Sequence, residues 1–275
     1  MKNLMVTISG GRSSAMMSRH IQTNEKYKDY NKAYVFCNTG MERYETIQFL
    51  KDCETYWGIH IIKIEGVYSP IMGEGVKYKI VEWDELNMDA TPFSECIMHM
   101  NKGKYDGMPN QEAPYCSERL KTIPAKKLCD DLFGVNNYIK AIGYRKEDMP
   151  KRISWSEIEA EKGKRIFPLL TDFDYPIGQG ELNKWWNEQP FKLNIHNKFG
   201  NCELCWKKSD NNLIQVIRHG TRFVEWYQRH EKQYGNTSFR NNKSIDDLVK
   251  LASLPTTGKL EFDNNEQTDN CVCGF

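Results

Sequence analysis

An apolar run at residues 2–8 (KNLMVTI) ends in Ser9-Gly10-Gly11-Arg12-Ser13-Ser14 and passes directly into a helical pattern that reaches about His20. No other feature restricts the fold as much. Two glycines between a strand and a helix let backbone N–H groups close around an anion, and the helix start adds a favourable dipole. The alternation then continues. A β-rich run at 33–37 ends in Asn38-Thr39-Gly40. Residues 42–57 carry Ile47, Leu50, Tyr56 and Trp57 at roughly helical spacing, and a third strand is predicted at 59–64. Strand and helix in this order predict an α/β fold with a doubly wound, mostly parallel sheet of Rossmann-like type.

The stretch 66–115 is rich in Met, Gly and Asn and has no clean period, so it reads as a long insertion holding a helix or two. A helix is predicted over 117–133, which Pro124 should interrupt or kink. Another strand is predicted at 138–142, ending in Gly143-Tyr144-Arg145. The character changes after about residue 165. Residues 1–165 form the expected nucleotide-binding α/β domain, and 166–275 a helical, Cys-containing C-terminal region. That region has a Trp185-Trp186 helix and amphipathic helices near 209–218 and 221–233. A polar tail beyond 254 closes it, ending Cys271-Val272-Cys273-Gly274-Phe275. There are no internal repeats.

Of 275 residues, 39% are hydrophobic and 27% charged, enough apolar side chain for a real core. With 38 Lys+Arg against 37 Asp+Glu, global charge gives no reason to expect a polyanion or a membrane as partner, although local basic patches stay open. No apolar run approaches a membrane span, and MKNLMVTIS is too short and too soon interrupted for a signal peptide, so a cytoplasmic protein is expected. In a reducing compartment, closely spaced cysteines are more often metal ligands or redox groups than disulfides. This chain has nine.

Two constellations carry chemistry. In the first, the Gly10-Gly11 turn supplies amides, Ser9, Ser13 and Ser14 supply hydroxyl donors, and Arg12 supplies charge. The alternative is a tight turn that binds nothing. A side chain at Gly11 is expected to block phosphate approach, and a β-branched one to strain the turn. Ligands of open α/β sheets sit beyond the C-terminal strand ends, where the Ser9, Asn38 and Gly143 turns all crowd. Arg119, Lys121, Arg145 and Arg152 are placed to meet phosphate or sulfate oxygens there. The second constellation is Cys202-x-x-Cys205, which alone reads as a zinc pair, a redox pair, an iron–sulfur pair or two cysteines on one face. A metal site needs more thiolates, and Cys116 is the natural third. Cys37, Cys53 and Cys129 read as small hydrophobes and the tryptophans as core. Cys96 and His99 are weaker candidate ligands.

These blocks resemble the phosphoadenosine-phosphosulfate (PAPS) reductase family of the PP-loop adenine-nucleotide enzymes. The carriers are Ser9–Ser14; Asn38-Thr39-Gly40 with Glu42 to Phe49; Cys116-Ser117-Glu118-Arg119-Leu120-Lys121-Thr122-Ile123-Pro124; and Gly143-Tyr144-Arg145-Lys146-Glu147-Asp148 with Arg152. The match covers residues 1–152 well and the rest mainly through Cys202-Glu203-Leu204-Cys205. The resemblance implies binding of PAPS, adenylyl sulfate or ATP by Ser9, Gly10, Gly11, Arg12, Ser13, Ser14, Asn38, Thr39, Gly40, Arg119, Gly143 and Arg152. It implies catalysis by Lys121, Arg145 and a tail thiol, Cys271. It also implies a 4Fe-4S cluster, with zinc as the alternative, on Cys116, Cys202 and Cys205 with a tail cysteine, Cys273, as the fourth ligand; a three-cysteine cluster with an open iron position is the rival arrangement. The reaction implied is sulfur reduction or transfer, with a thiol reductant or a nucleic-acid acceptor as partner and a homo-oligomer left open. Two departures matter. Ser13 stands where the pyrophosphatase branch has an Asp that helps organise ATP and Mg²⁺. Tyr115 stands where the iron–sulfur branch has a second cysteine. The rival readings are an ATP-dependent sulfurtransferase acting on nucleic acid and a non-catalytic nucleotide-binding protein with structural zinc.

Overall fold

The computed structural model describes residues 1–69, 71, 74–101, 107–196, 199–200, 202–235 and 242–255. Cys271 and Cys273 lie outside the described residues. Strand β1 (Lys2–Thr7) leads through the glycine turn into α1 (Arg12–Thr23); β2 (Tyr30–Asn38) leads into α2 (Tyr44–Trp57); β3 (Ile61–Tyr68) follows. α2 ends where Gly58 takes the left-handed conformation, at φ 62°, a helix stop open to glycine at little steric cost.

The insertion contains a strand that was not predicted. β4 (Val76–Val81) folds back antiparallel on β3 and forms one edge of the sheet. Its run V-K-Y-K-I-V alternates apolar and charged residues over 76–80, a period-2 strand signal set within a Met-, Gly- and Asn-rich stretch without a clean period; in the structure Ile80 is exposed on the sheet edge. α3 (Thr91–Met100) and the short α4 (Tyr115–Ser117) complete the insertion.

The predicted break at Pro124 is real, and it has a specific form. A π-helical turn (Glu118–Thr122) precedes α5 (Ile123–Phe133), so the proline falls in the first turn of a new helix, where no intrahelical N–H is needed. Strand β5 (Ile139–Ala141), α6 (Trp155–Ala160), β6 (Arg165–Ile166), α7 (Pro168–Thr171), α8 (Gln179–Asn187), α9 (Asp210–Arg218), α10 (Val224–Tyr234) and α11 (Ile245–Ser253) follow. The sequence reading missed α11.

The sheet order is β4-β3-β2-β1-β5-β6, parallel except for β4. Alternate residues of the central strands bury two faces. Leu4, Val6, Tyr34, Phe36 and Ile61 pack with α1, α2 and α8 through Met17, Leu50 and Trp186. Met5, Val35, Cys37 and Ile64 pack with α5 through Leu128 and Cys129. Helices on both faces make the sheet doubly wound. A further core joins the insertion to the C-terminal helices: Phe93 and Ile97 of α3 meet Leu213, Val216, Trp226 and Leu248, and the Phe93 and Trp226 rings stack at 5.3 Å. Among the described residues no helix is long and apolar enough to cross a membrane.

Candidate functional site

Strand order reverses between β1 and β5, because β2 and β3 extend the sheet one way and β5 and β6 the other. Their carboxyl ends form the crevice where ligands of such sheets bind. The two turns there are packed tightly. A Cβ on Gly143 would lie 3.1 Å from Ser14 Cα and 3.3 Å from the Ser13 carbonyl oxygen. Gly10 has φ +77°, and a Cβ there would overlap Thr46 Cγ2. Gly11 differs from expectation. It is extended, at φ −96° and ψ 155°, and an added Cβ would meet only Ser9 Oγ at 3.7 Å. The turn therefore requires glycine at Gly10, while Gly11 is constrained only by what approaches from outside.

The serines divide. Ser14 Oγ accepts from the Ser9 N–H at 3.0 Å, donates to the Gly11 carbonyl at 3.0 Å and lies 3.1 Å from Ser9 Oγ. It braces the loop from inside. The Ser13 hydroxyl, and the amides of Gly10 and Gly11, make no hydrogen bond among the described residues, which leaves them as donors for a ligand.

Two guanidinium groups stand beside this loop. Arg12 has no hydrogen bond or ion pair at its side chain among the described residues. Burial, and then the charge of Arg145, hold it below the usual guanidinium range. Arg145 is almost fully buried. Its Nη1 donates to Gln179 Oε1 at 2.6 Å, and its Nε lies 3.9 Å from Glu147 Oε2 without a hydrogen bond. Arg152 is set further out, with Nη1 3.4 Å from Asp148 Oδ1.

A pocket near the end of β2 holds the sulfur constellation. Cys116, Cys202 and Cys205 line it together with Thr39, Lys121 and Tyr227. Thr39 Oγ1 lies 3.4 Å from Cys202 Sγ and donates to the buried Glu42 carboxylate at 2.9 Å. Lys121 Nζ, also buried, is 3.9 Å from Glu42 Oε1. Asn38 stays inside the fold, donating to Glu65 and the Asn87 carbonyl and accepting from the Gly40 N–H. Gly40, at φ +80°, would place a Cβ 2.9 Å from the Ala90 backbone. Arg119 Nε is buried without a hydrogen bond, 3.9 Å from Glu118, and the Arg119 carbonyl accepts from Tyr68 Oη.

The Cys202–Cys205 loop is clamped by residues that sequence reasoning did not single out. Glu203, buried between the cysteines, accepts from Arg222 Nε at 3.2 Å and faces Arg43 Nη2 at 3.6 Å. Arg222 also donates to the Glu42 and Met88 carbonyls. The Lys208 ammonium donates to the Gly200 and Cys202 carbonyls, and Tyr227 Oη to the Leu204 carbonyl. The one available signal was Glu203, a charged residue inside a Cys-x-x-Cys. The others carried none.

No disulfide joins the described cysteines. Among the described residues no three His, Cys, Asp or Glu side chains are arranged as a ready-made cation site. Three thiols lining one pocket nevertheless match in kind the donors preferred by zinc and by iron–sulfur clusters.

Fold and site together define an α/β protein with a doubly wound, mostly parallel sheet, an anion-suited glycine turn at its switch point and a thiol-lined pocket beside it. The chain belongs to the family of an uncharacterized nin region protein, ORF290, of Escherichia phage lambda. The two are 32% identical over 261 residues, covering 90% of this chain and 84% of the phage protein. No family model matches the chain. Phosphoadenylyl-sulfate (PAPS) reductase from Candida auris, in its phosphate complex, is 15% identical over 70% of this chain and 76% of its own, with a TM-score of 0.40.

Proposed function

We propose that this protein is an adenine-nucleotide-binding enzyme of PAPS-reductase-like type that reduces or transfers sulfur with the help of a thiolate-held metal centre. One observation carries the reading. Cys116, Cys202 and Cys205, far apart in the chain, line a single pocket with Lys121 and Thr39, on the same sheet edge as the Gly10-Gly11 turn. In this reading the Gly10 and Gly11 amides, the Ser13 hydroxyl and the Arg12 and Arg145 guanidiniums hold the phosphate or sulfate oxygens of the nucleotide. Lys121 brings a buried positive charge to the thiol pocket, and the Thr39 hydroxyl fixes the Cys202 sulfur. Cys116, Cys202 and Cys205 would hold the metal, with Cys273 as the fourth ligand and Cys271 as the attacking thiol. A bound cluster would supply redox and Lewis-acid chemistry to that pocket.

Two measurements test this. Calorimetric titration with PAPS, adenylyl sulfate and ATP should show binding of at least one. Gly11→Val should weaken it at least tenfold, about 1.4 kcal/mol, with the circular dichroism spectrum unchanged. If the wild-type protein binds none of the three, the reading is wrong. Anaerobic purification followed by metal analysis then separates the centres. Brown protein with iron and sulfide supports the cluster. Colourless protein with stoichiometric zinc replaces the enzyme by a nucleotide-binding protein with a structural metal.

A further inference from the structure

Helix α8 touches both arginines of the anion site. At its first residue, Gln179 Oε1 accepts from Arg145 Nη1 at 2.6 Å. Two turns later, Trp186 Nε1 donates to the Arg12 carbonyl oxygen at 3.1 Å. A seven-residue spacing keeps both side chains on one helix face. The helix start is itself tied down. The Gln179 N–H donates to Glu147 Oε1 at 2.7 Å, and the Lys146 N–H to the Ile177 carbonyl at 2.9 Å. Trp186 is buried against Phe49 and Trp57, so the brace is rigid at both ends.

The chemistry of the acceptor at Arg145 is the informative point. A buried arginine is ordinarily held by a carboxylate, which cancels its charge. Here the close acceptor is a neutral amide. The nearest carboxylate, Glu147 Oε2, stands 3.9 Å from Nε and makes no hydrogen bond. Asp148 accepts from the Arg145 backbone N–H and lies within reach of the charges of both Arg152 and Arg145, but accepts no hydrogen bond from the Arg145 guanidinium. Arg12 has no acidic partner among the described residues.

We infer that α8 is the positioning element of the anion site: Gln179 orients the Arg145 guanidinium and Trp186 anchors the backbone of Arg12, and the closest acceptor of Arg145 is a neutral amide rather than a carboxylate. The role is one of specificity. It leaves both guanidiniums without a carboxylate hydrogen bond among the described residues, so that a multiply charged phosphate or sulfate group can take that place. The inference rests on the nucleotide-binding reading and deepens it.

The test is Gln179→Glu, which keeps the acceptor and adds a charge. Glutamate is favourable at the first position of a helix, so the variant should fold. Inorganic pyrophosphate and adenosine serve as probes, with the thermal midpoint recorded in parallel. Pyrophosphate affinity should fall at least tenfold, while adenosine affinity and the midpoint hold. Gln179→Met removes the acceptor without adding charge and should lose less than Gln179→Glu. A merely structural glutamine would leave pyrophosphate binding untouched in the glutamate variant, and that result overturns the inference while the nucleotide reading stands. An equal or larger loss in Gln179→Met overturns it too, because charge would then not be the cause. If the wild-type protein binds neither pyrophosphate nor any adenine nucleotide, the nucleotide reading fails and this inference with it.

Discussion

Gly10 and Gly11 are neighbours with opposite demands. Gly10 is left-handed and has Thr46 against the space a Cβ would fill; Gly11 is extended and open. Gly10→Ala should therefore cost about 1–3 kcal/mol through strain, read as a lower urea midpoint. Gly11→Ala should stay within about 0.5 kcal/mol of wild type. Equal effects would mean that the loop does not hold this shape. A second residue-scale expectation concerns Asp172, which accepts hydrogen bonds from His20, Lys26 and Tyr27 and so ties the end of α1 to the segment after α7. Burial pushes its carboxyl up, but these three partners outweigh burial and leave it well below the usual carboxylate range. A carboxyl depressed in the folded state adds stability that is fully present above its unfolded pKa of about 3.9. That stability is lost as pH falls through the lower folded value. Asp172→Asn should destabilise the protein at pH 7, and the gap between variant and wild type should narrow in denaturant titrations toward pH 2. A gap independent of pH would assign the effect to packing.

The Cys202–Cys205 loop has little regular structure, so its shape depends on the side chains that hold it. Arg222 binds Glu203 and two carbonyls, Lys208 two more and Tyr227 another. Arg222→Ala would leave Glu203 buried with only Arg43 at 3.6 Å. A charge-assisted bond of this kind is worth about 1.5–3 kcal/mol, and Arg222 is one-third exposed, so the lower end applies. Stability should fall by about 1.5 kcal/mol, and Cys202 and Cys205 should be alkylated faster by a maleimide, followed by mass spectrometry. Unchanged labelling would mean that the loop is held from elsewhere. The same element shows what patterning missed. Arg222 and Lys208 lie on or beside helices read only for their apolar faces, and charged residues there resemble any solvated surface until the loop is seen packed against them.

For the molecule as a whole, the sharpest expectation is that Cys116 shares a metal with the Cys-x-x-Cys loop. Cys116→Ser, Cys202→Ser and Cys205→Ser should each deplete bound metal in protein purified without oxygen. Cys116→Ser with full metal would break the shared-site reading even though the three thiols line one pocket. Much of the fold that places them was legible beforehand. The strand–turn–helix alternation of residues 2–64 set a parallel sheet, and the sheet sends every βα turn to one edge. β4 was legible in principle, because Val76–Ile80 alternate apolar and charged residues, but the short run lies among Met, Gly and Asn residues without a period of their own. α11 was hidden by a polar neighbourhood, although Ile245 and Leu248 bury fully.

Local sequence therefore determined what backbone chemistry alone can enforce. That covers which segments are strands and helices over the first half of the chain, where the glycine turn falls, how Pro124 divides a helix and which residue types can hold an anion or a soft metal. Those outcomes depend on interactions between near neighbours in the chain. Tertiary structure decided which candidates share a site and what state each is in. It turned Asn38 inward as a brace against Glu65 and the Asn87 carbonyl, and left Ser13 and Arg12 for a ligand. It also brought Cys116 to Cys202 and set a neutral glutamine rather than a carboxylate against Arg145. The physical reason is range. Gln179 stands 34 residues from Arg145, Asn87 stands 49 from Asn38, and Cys202 comes to Cys116 from another part of the chain, so no local pattern could encode these pairings.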